Sequence, residues 1–147
     1  MVIDPSCIFC KIIAGELPSS RIAEDDRTIA FMDVNPGSLG HVLVVPRSHA
    51  TDLHSIDADD LAAVTVTAQR VAGLAVERLG ADGVNLLNCA GAEAWQTVFH
   101  FHMHVIPRYG GQPEKDALTL PWQPTPGDPD RIAQAAAALR GETQAPA

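Results

Sequence analysis

The stretch His100-Phe101-His102-Met103-His104-Val105-Ile106 decides the reading of this chain. Three histidines alternate with apolar residues at a period of two, so on a β-strand all three imidazoles leave one face while Phe101, Met103 and Val105 enter the core. At a rise of about 3.3 Å per residue, His100 and His104 stand roughly 13 Å apart, and one ion gathers all three rings only if the strand bends. The row therefore reads as separate roles. Same-face imidazoles are costly to bury without partners and repel one another when charged, which argues against a purely structural explanation. A zinc hydrolase with His100, His102 and His104 as ligands stays open as a rival.

Working outward, Val98 to Ile106 forms a fifth strand that Pro107 stops. Before it, Val84 to Asn88 forms a fourth strand and Ala90 to Ala94 a loop of small residues. His41-Val42-Leu43-Val44-Val45-Pro46 is a β-branched strand, expected at the centre of the sheet. Arg21 to Glu24 and Thr28 to Asp33 read as two strands joined across Asp25-Asp26. Leu61, Val64, Ala68, Val71, Ala75 and Leu79 recur at helical spacing, with acids at the start and Gly80 after the end, so Asp57 to Leu79 is one long amphipathic helix. A short helix over Lys11 to Ala14 ends at Gly15. Gly110 to Pro129 is rich in Pro and Gly and reads as irregular, before an alanine-rich helix over Pro129 to Leu139. The order β-β-β-α-β-β, without βαβ alternation, predicts an α+β fold: a five-stranded, mainly antiparallel sheet with one long helix and a C-terminal helix.

The 147 residues, 46% of them apolar, suit one domain. Net charge is −8 and the ten basic residues are scattered, which excludes a broad footprint for nucleic acid. The start of the chain has neither a basic nor an apolar targeting region, and no stretch reaches membrane-spanning length, so a soluble, cytoplasmic protein is expected. Three cysteines fit a disulfide framework poorly, and Cys7-Ile8-Phe9-Cys10 reads more sharply as half of a metal site. No Walker or dinucleotide-type glycine loop is present, so any phosphate chemistry must use the histidines.

The histidine run resembles the signature of the histidine triad (HIT) family, and Gln96-Thr97-Val98-Phe99 resembles that family's lead-in. The likeness extends through Ile8-Phe9-Cys10-Lys11-Ile12-Ile13, Glu16-Leu17-Pro18, Ala30-Phe31-Met32-Asp33-Val34 and Gly40 to Arg47, and on to His49, in the manner of the Hint-type branch and its zinc-containing bacterial members. About 1–109 would be the HIT core, and 110–147 an irregular segment plus the C-terminal helix.

The resemblance implies a nucleotide-binding hydrolase or transferase acting at the α-phosphate of nucleoside phosphoramidates, dinucleoside polyphosphates or adenylylated small molecules. His102 would be the nucleophile that carries the nucleotide. His100, His104 and His41 would attend the phosphate, and Gln96 and Thr97 would donate hydrogen bonds to it. Asp33 would hold the ribose, Phe9, Ile12, Leu17, Phe31 and Val34 the base, a purine on family analogy. Cys89 stands where the family usually has Asn, with Asn88 beside it as the substitute, and Trp95 stands where a small residue is common. Cys7 and Cys10 with His49 and His100 would hold a structural Zn2+. A homodimer is implied, with no nucleic acid or membrane partner. A regulatory nucleotide-binding scaffold with little turnover is the alternative.

Overall fold

The computed structural model describes residues 1–119 and 126–146. Five strands, β1 (Arg21–Glu24), β2 (Thr28–Met32), β3 (Val42–Pro46), β4 (Gly83–Leu87) and β5 (Met103–Arg108), form one antiparallel sheet in the order β1-β2-β3-β5-β4. The α+β expectation holds, and the β-branched run from Val42 is the middle strand.

Among the described residues, three α-helices accompany the sheet: α1 (Ile8–Ile13), α2 (Ala58–Leu79) and α3 (Pro129–Leu139). The side chain of Asp57 caps α2 by accepting from the amide of Asp59, and Gly80 ends it at φ 68°, the left-handed conformation that glycine adopts without steric cost. Val64, Ala68 and Val71 of α2 pack on Ala30, Val42, Val44, Phe101 and Val105. The opposite face of the sheet carries Ile29, Phe31, Leu43 and Val45, covered by Phe9 of α1. Strand alternation thus splits β2 and β3 between two apolar layers. Burying each of these valines stabilises the fold by about 1.5–3 kcal/mol.

Several boundaries differ from expectation, most by a single residue. Helix α1 begins at Ile8 rather than Lys11, because Asp4 turns the chain by accepting from the amides of Ser6 and Cys7. Strand β5 begins at Met103 rather than Val98, so His100 and His102 precede it. There the carbonyl of Pro46 accepts from the His100 ring and that of His100 from the His102 ring, so imidazoles take the place of ladder partners. Pro107 does not stop β5. Pairing with β3 ends at Val42↔Val105, so beyond it β5 is flanked by β4 alone, where a missing amide hydrogen is tolerated. Within the small-residue loop, Ala92–Ala94 forms one 3-10 turn.

Part of the segment expected to be irregular, residues 120–125, lies outside the described residues. From Gly110 to Thr119 the chain makes turns and an isolated bridge between Ser38 and Asp116. Asp116 fastens it: its carboxylate accepts from Arg108 Nε at 2.6 Å and from the amides of Tyr109 and Leu118. Among the described residues, no helix is long and apolar enough to cross a membrane.

Candidate functional site

The three histidines go to three different surroundings. His102 is buried, and its Nδ1 lies 2.7 Å from the carbonyl of His100. A carbonyl only accepts, so Nδ1 carries the proton and Nε2 keeps an open lone pair. Burial lowers the pKa of this ring, which favours the neutral form. Asn88 supports the same turn by donating from Nδ2 to the His102 carbonyl at 2.9 Å, while its Oδ1 is buried without a partner.

His102 closes one end of a cleft of about 190 Å³ lined by Phe9, Ile12, Phe31, Asp33, Val34 and Thr97, among others. Phe9 meets both Phe31 and His102 edge-on, with centroids 5.4 and 5.3 Å apart. Asp33 Oδ1 accepts from the amide of Asn35, a turn-shaping contact, and Oδ2 reaches toward His41 at 3.6 Å. Leu17 does not line the cleft: it follows the helix-ending Gly15 and stands 38% exposed. Ser19 and Asn35 also line it, and the sequence pattern gave no reason to select them.

His104 pairs with His41 instead. The amide of Gly37 donates to His41 Nδ1 at 2.9 Å, so the neutral His41 ring carries its proton on Nε2 and donates it to His104 Nδ1 at 2.8 Å. His104 then holds its own proton on Nε2. Burial, with the neighbouring positive forms of His102 and His41, pushes the His104 pKa down to about 4.

His100 is fully buried and does not line the cleft that His102 lines, so the structure places it apart from that cleft rather than beside His102 in it. Its Nε2 donates to the Pro46 carbonyl at 2.9 Å, and its Nδ1 lies 3.5 and 3.6 Å from the Cys7 and Cys10 sulfurs and 3.3 Å from His49 Nδ1. His49 Nδ1 is 3.5 Å from Cys10 Sγ. Tetrahedral zinc, with bonds of about 2.3 Å to sulfur and about 2.0 Å to nitrogen, requires edges of roughly 3.3 Å between nitrogens and roughly 3.6 Å between nitrogen and sulfur. The four side chains fit that polyhedron, and among the described residues no group of this kind includes His102. The arrangement therefore disfavours the three-histidine chelate.

Gln96 is also placed differently from expectation. Its Oε1 accepts from the amide of Gly91 at 2.8 Å and its Nε2 donates to the carbonyls of Thr51 and Val98, so its polar atoms brace the loop before the histidines.

A family model described as "HIT domain" matches residues 14–111, two thirds of the chain. The chain belongs to the HIT family. Among relatives of this HIT protein, the adenosine 5'-monophosphoramidase of Schizosaccharomyces pombe is 35% identical over 127 residues, 86% of this chain and 90% of the relative. The protein named hit of Bacillus subtilis is 42% identical over 106 residues, 71% of this chain and 72% of the relative. Among solved structures, a zinc-bound histidine triad family protein of Mycobacterium smegmatis superposes with a TM-score of 0.73 at 38% identity, covering 92% of this chain and 96% of that one.

Proposed function

We propose that this HIT protein is a nucleotidyl hydrolase or transferase that cleaves at the α-phosphorus of nucleoside phosphoramidates and related conjugates through a nucleotidyl intermediate on His102. The observation that carries the reading is the hydrogen bond from His102 Nδ1 to the His100 carbonyl, which leaves Nε2 unprotonated on a ring that lines an apolar cleft. The base, a purine on the family's example, lies in the apolar cleft against Phe9, Ile12 and Phe31, with Asp33 Oδ2 facing the ribose. Nε2 attacks phosphorus, the P–N bond to the leaving amine breaks, and the amine departs after taking one proton from solvent. Water then attacks phosphorus and gives one proton back to solvent as the P–N bond to Nε2 breaks, releasing the nucleoside monophosphate and restoring the Nε2 lone pair. The Nε2–H of His104 and the hydroxyl of Thr97 steady the phosphoryl oxygens.

In the same reading Cys7, Cys10, His49 and His100 hold Zn2+. Four protein ligands leave no place for a reacting water, so the metal supplies rigidity rather than Lewis acidity. The homodimer belongs here too: Val66 and Val76 of α2 stand exposed, and sedimentation reports whether they are paired. A scaffold role without turnover would give no reason for the poised tautomer of His102.

The test is incubation with a nucleoside phosphoramidate, quenching without acid, and mass mapping. An adduct of one nucleotidyl group on His102, absent in His102→Ala, is expected. Turnover that persists in His102→Ala sinks the proposal.

A further inference from the structure

Cys7 and Cys10 stand three residues apart at the start of α1, where the amide of Lys11 donates to the Cys7 carbonyl at 3.1 Å and closes the first turn. Residues so spaced on a helical turn have Cα atoms about 5 Å apart, within the roughly 4.4–6.8 Å that a disulfide spans. The two sulfurs already lie within 4.8 Å of each other. The Cys7 side chain makes no capping hydrogen bond, so it can swing toward Cys10 without cost to the helix end.

The two thiols differ in access. Cys7 is half-buried and lines a surface hollow of about 270 Å³, whose other walls include the exposed residues Ser6, Ile8, Thr97 and Phe99. Cys10 is only 5% exposed, and its sulfur lies 3.5 Å from the amide of Asp4 and 3.5 Å from His49 Nδ1. A small oxidant therefore meets Cys7 first, and Cys10 is placed to attack whatever forms there. Cys89, the third cysteine, is buried in a separate hollow that His104 also lines.

We infer that Cys7 and Cys10 form a reversible oxidation site, which hydrogen peroxide converts from two thiolates to a disulfide that no longer holds the metal. The Cys7 thiolate attacks peroxide, the O–O bond breaks, and hydroxide departs to leave a sulfenic acid on Cys7. The Cys10 thiolate then attacks the Cys7 sulfur, the S–O bond breaks, and a second hydroxide departs as the S–S bond forms. Two protons from solvent turn both hydroxides into water, so the sulfur pair loses two electrons and one peroxide gains them. A dithiol reductant reverses the change.

The inference rests on the metal reading above and adds a control to it. Once the sulfurs are bonded to each other, only His49 and His100 are left of the four ligands, too few for a tetrahedral ion. Phe9 lies between the two cysteines and meets Phe31 and His102 edge-on, so the cleft wall slackens when the ion leaves. Peroxide thereby acts on nucleotide binding without touching a group that reacts with phosphorus.

The experiment uses the full chain as purified, with its zinc content measured first. Hydrogen peroxide is added in small molar excess, free thiols are alkylated after unfolding, and peptides are mapped without reduction. A bridge between Cys7 and Cys10, with Cys89 alkylated, is expected. Zinc release, read with a chromogenic chelator, should rise in step with the bridge, and affinity for adenosine monophosphate should fall several-fold. Dithiothreitol with added zinc should restore both. Cys89→Ser should give the same bridge. Over-oxidised Cys7 without a bridge, a bridge that includes Cys89 or joins two chains, zinc retained after the bridge forms, or nucleotide affinity unchanged by it overturns the inference and leaves the metal reading standing. A reduced chain that binds no zinc fails the metal reading and this inference with it. If the reduced chain binds no adenosine monophosphate, the nucleotide reading fails, while the bridge and the zinc release still decide this one.

Discussion

The ring of Phe9 stands edge-on to that of His102, centroids 5.3 Å apart and planes at 88°. Phe9 lies between Cys7 and Cys10 in sequence, so the helix that carries the two thiols also sets one wall of the cleft. In the proposed reading, a metal on the thiols and a nucleoside in the cleft would be coupled through this helix. Phe9→Leu keeps apolar volume but loses the flat edge. It should weaken nucleoside monophosphate binding several-fold in calorimetry while costing about 1 kcal/mol of stability in urea unfolding.

Removing the metal should loosen this wall before it stops chemistry. With a strong chelator, or in Cys10→Ala, the melting temperature is expected to fall by several degrees and KM to rise. A His102 adduct should still form at saturating substrate. Immediate loss of the adduct on chelation, with the fold intact by circular dichroism, would instead mark the metal as part of the reaction.

Acid should weaken the fold in a defined window. His104 binds its proton only near pH 4 in the folded protein, against about 6.5 when exposed in the unfolded chain. Between those values the unfolded chain takes up a proton that the folded one refuses, so stability falls as pH drops from about 6.5 toward about 4. Asp116 acts lower down. Its hydrogen bond from Arg108 holds the carboxyl below its ordinary 3.8, so its contribution is present above that value and fades in stronger acid. His104→Asn should flatten the upper part of the profile, measured as urea midpoints from pH 7 to 4.

The Asp116 carboxylate makes a separate claim on stability. Asp116→Ala strips an acceptor from the Arg108 guanidinium and from two main-chain amides. The expected loss is about 1–3 kcal/mol. Hydrogen exchange at Tyr109 and Leu118 should accelerate together. Protection that survives the substitution would show that the segment is held by other contacts.

The parts of the fold written in side-chain periodicity were legible in the sequence. Val64, Ala68 and Val71 at helical spacing, the Asp57 and Gly80 ends of α2, and the Val42 to Pro46 run each act through their own side chains or backbone freedom. The expectation that His100, His102 and His104 occupy separate surroundings agrees with the structure, although His100 and His102 lie before β5 rather than on one continuous strand. What stayed hidden was carried by main-chain atoms and by distant pairing. No side chain announces that the Pro46 carbonyl accepts a hydrogen bond from the His100 ring, that the Gly37 amide faces His41, or that Gln96 turns inward to Gly91. The folding back of Asp116 onto Arg108 likewise leaves no local pattern, because its partners are set by where the sheet ends.

The contact between Gly37 and His41 has a consequence for the whole row. A main-chain hydrogen cannot change sides, so it gives the two linked rings a polarity: each passes its donor onward, and the last one points it away from the loop. The orientation of two side-chain dipoles is thus inherited from a peptide bond that bears no functional group of its own. A change in the path of the loop at Gly37 would be felt at the outer nitrogen of His104 without altering a single histidine.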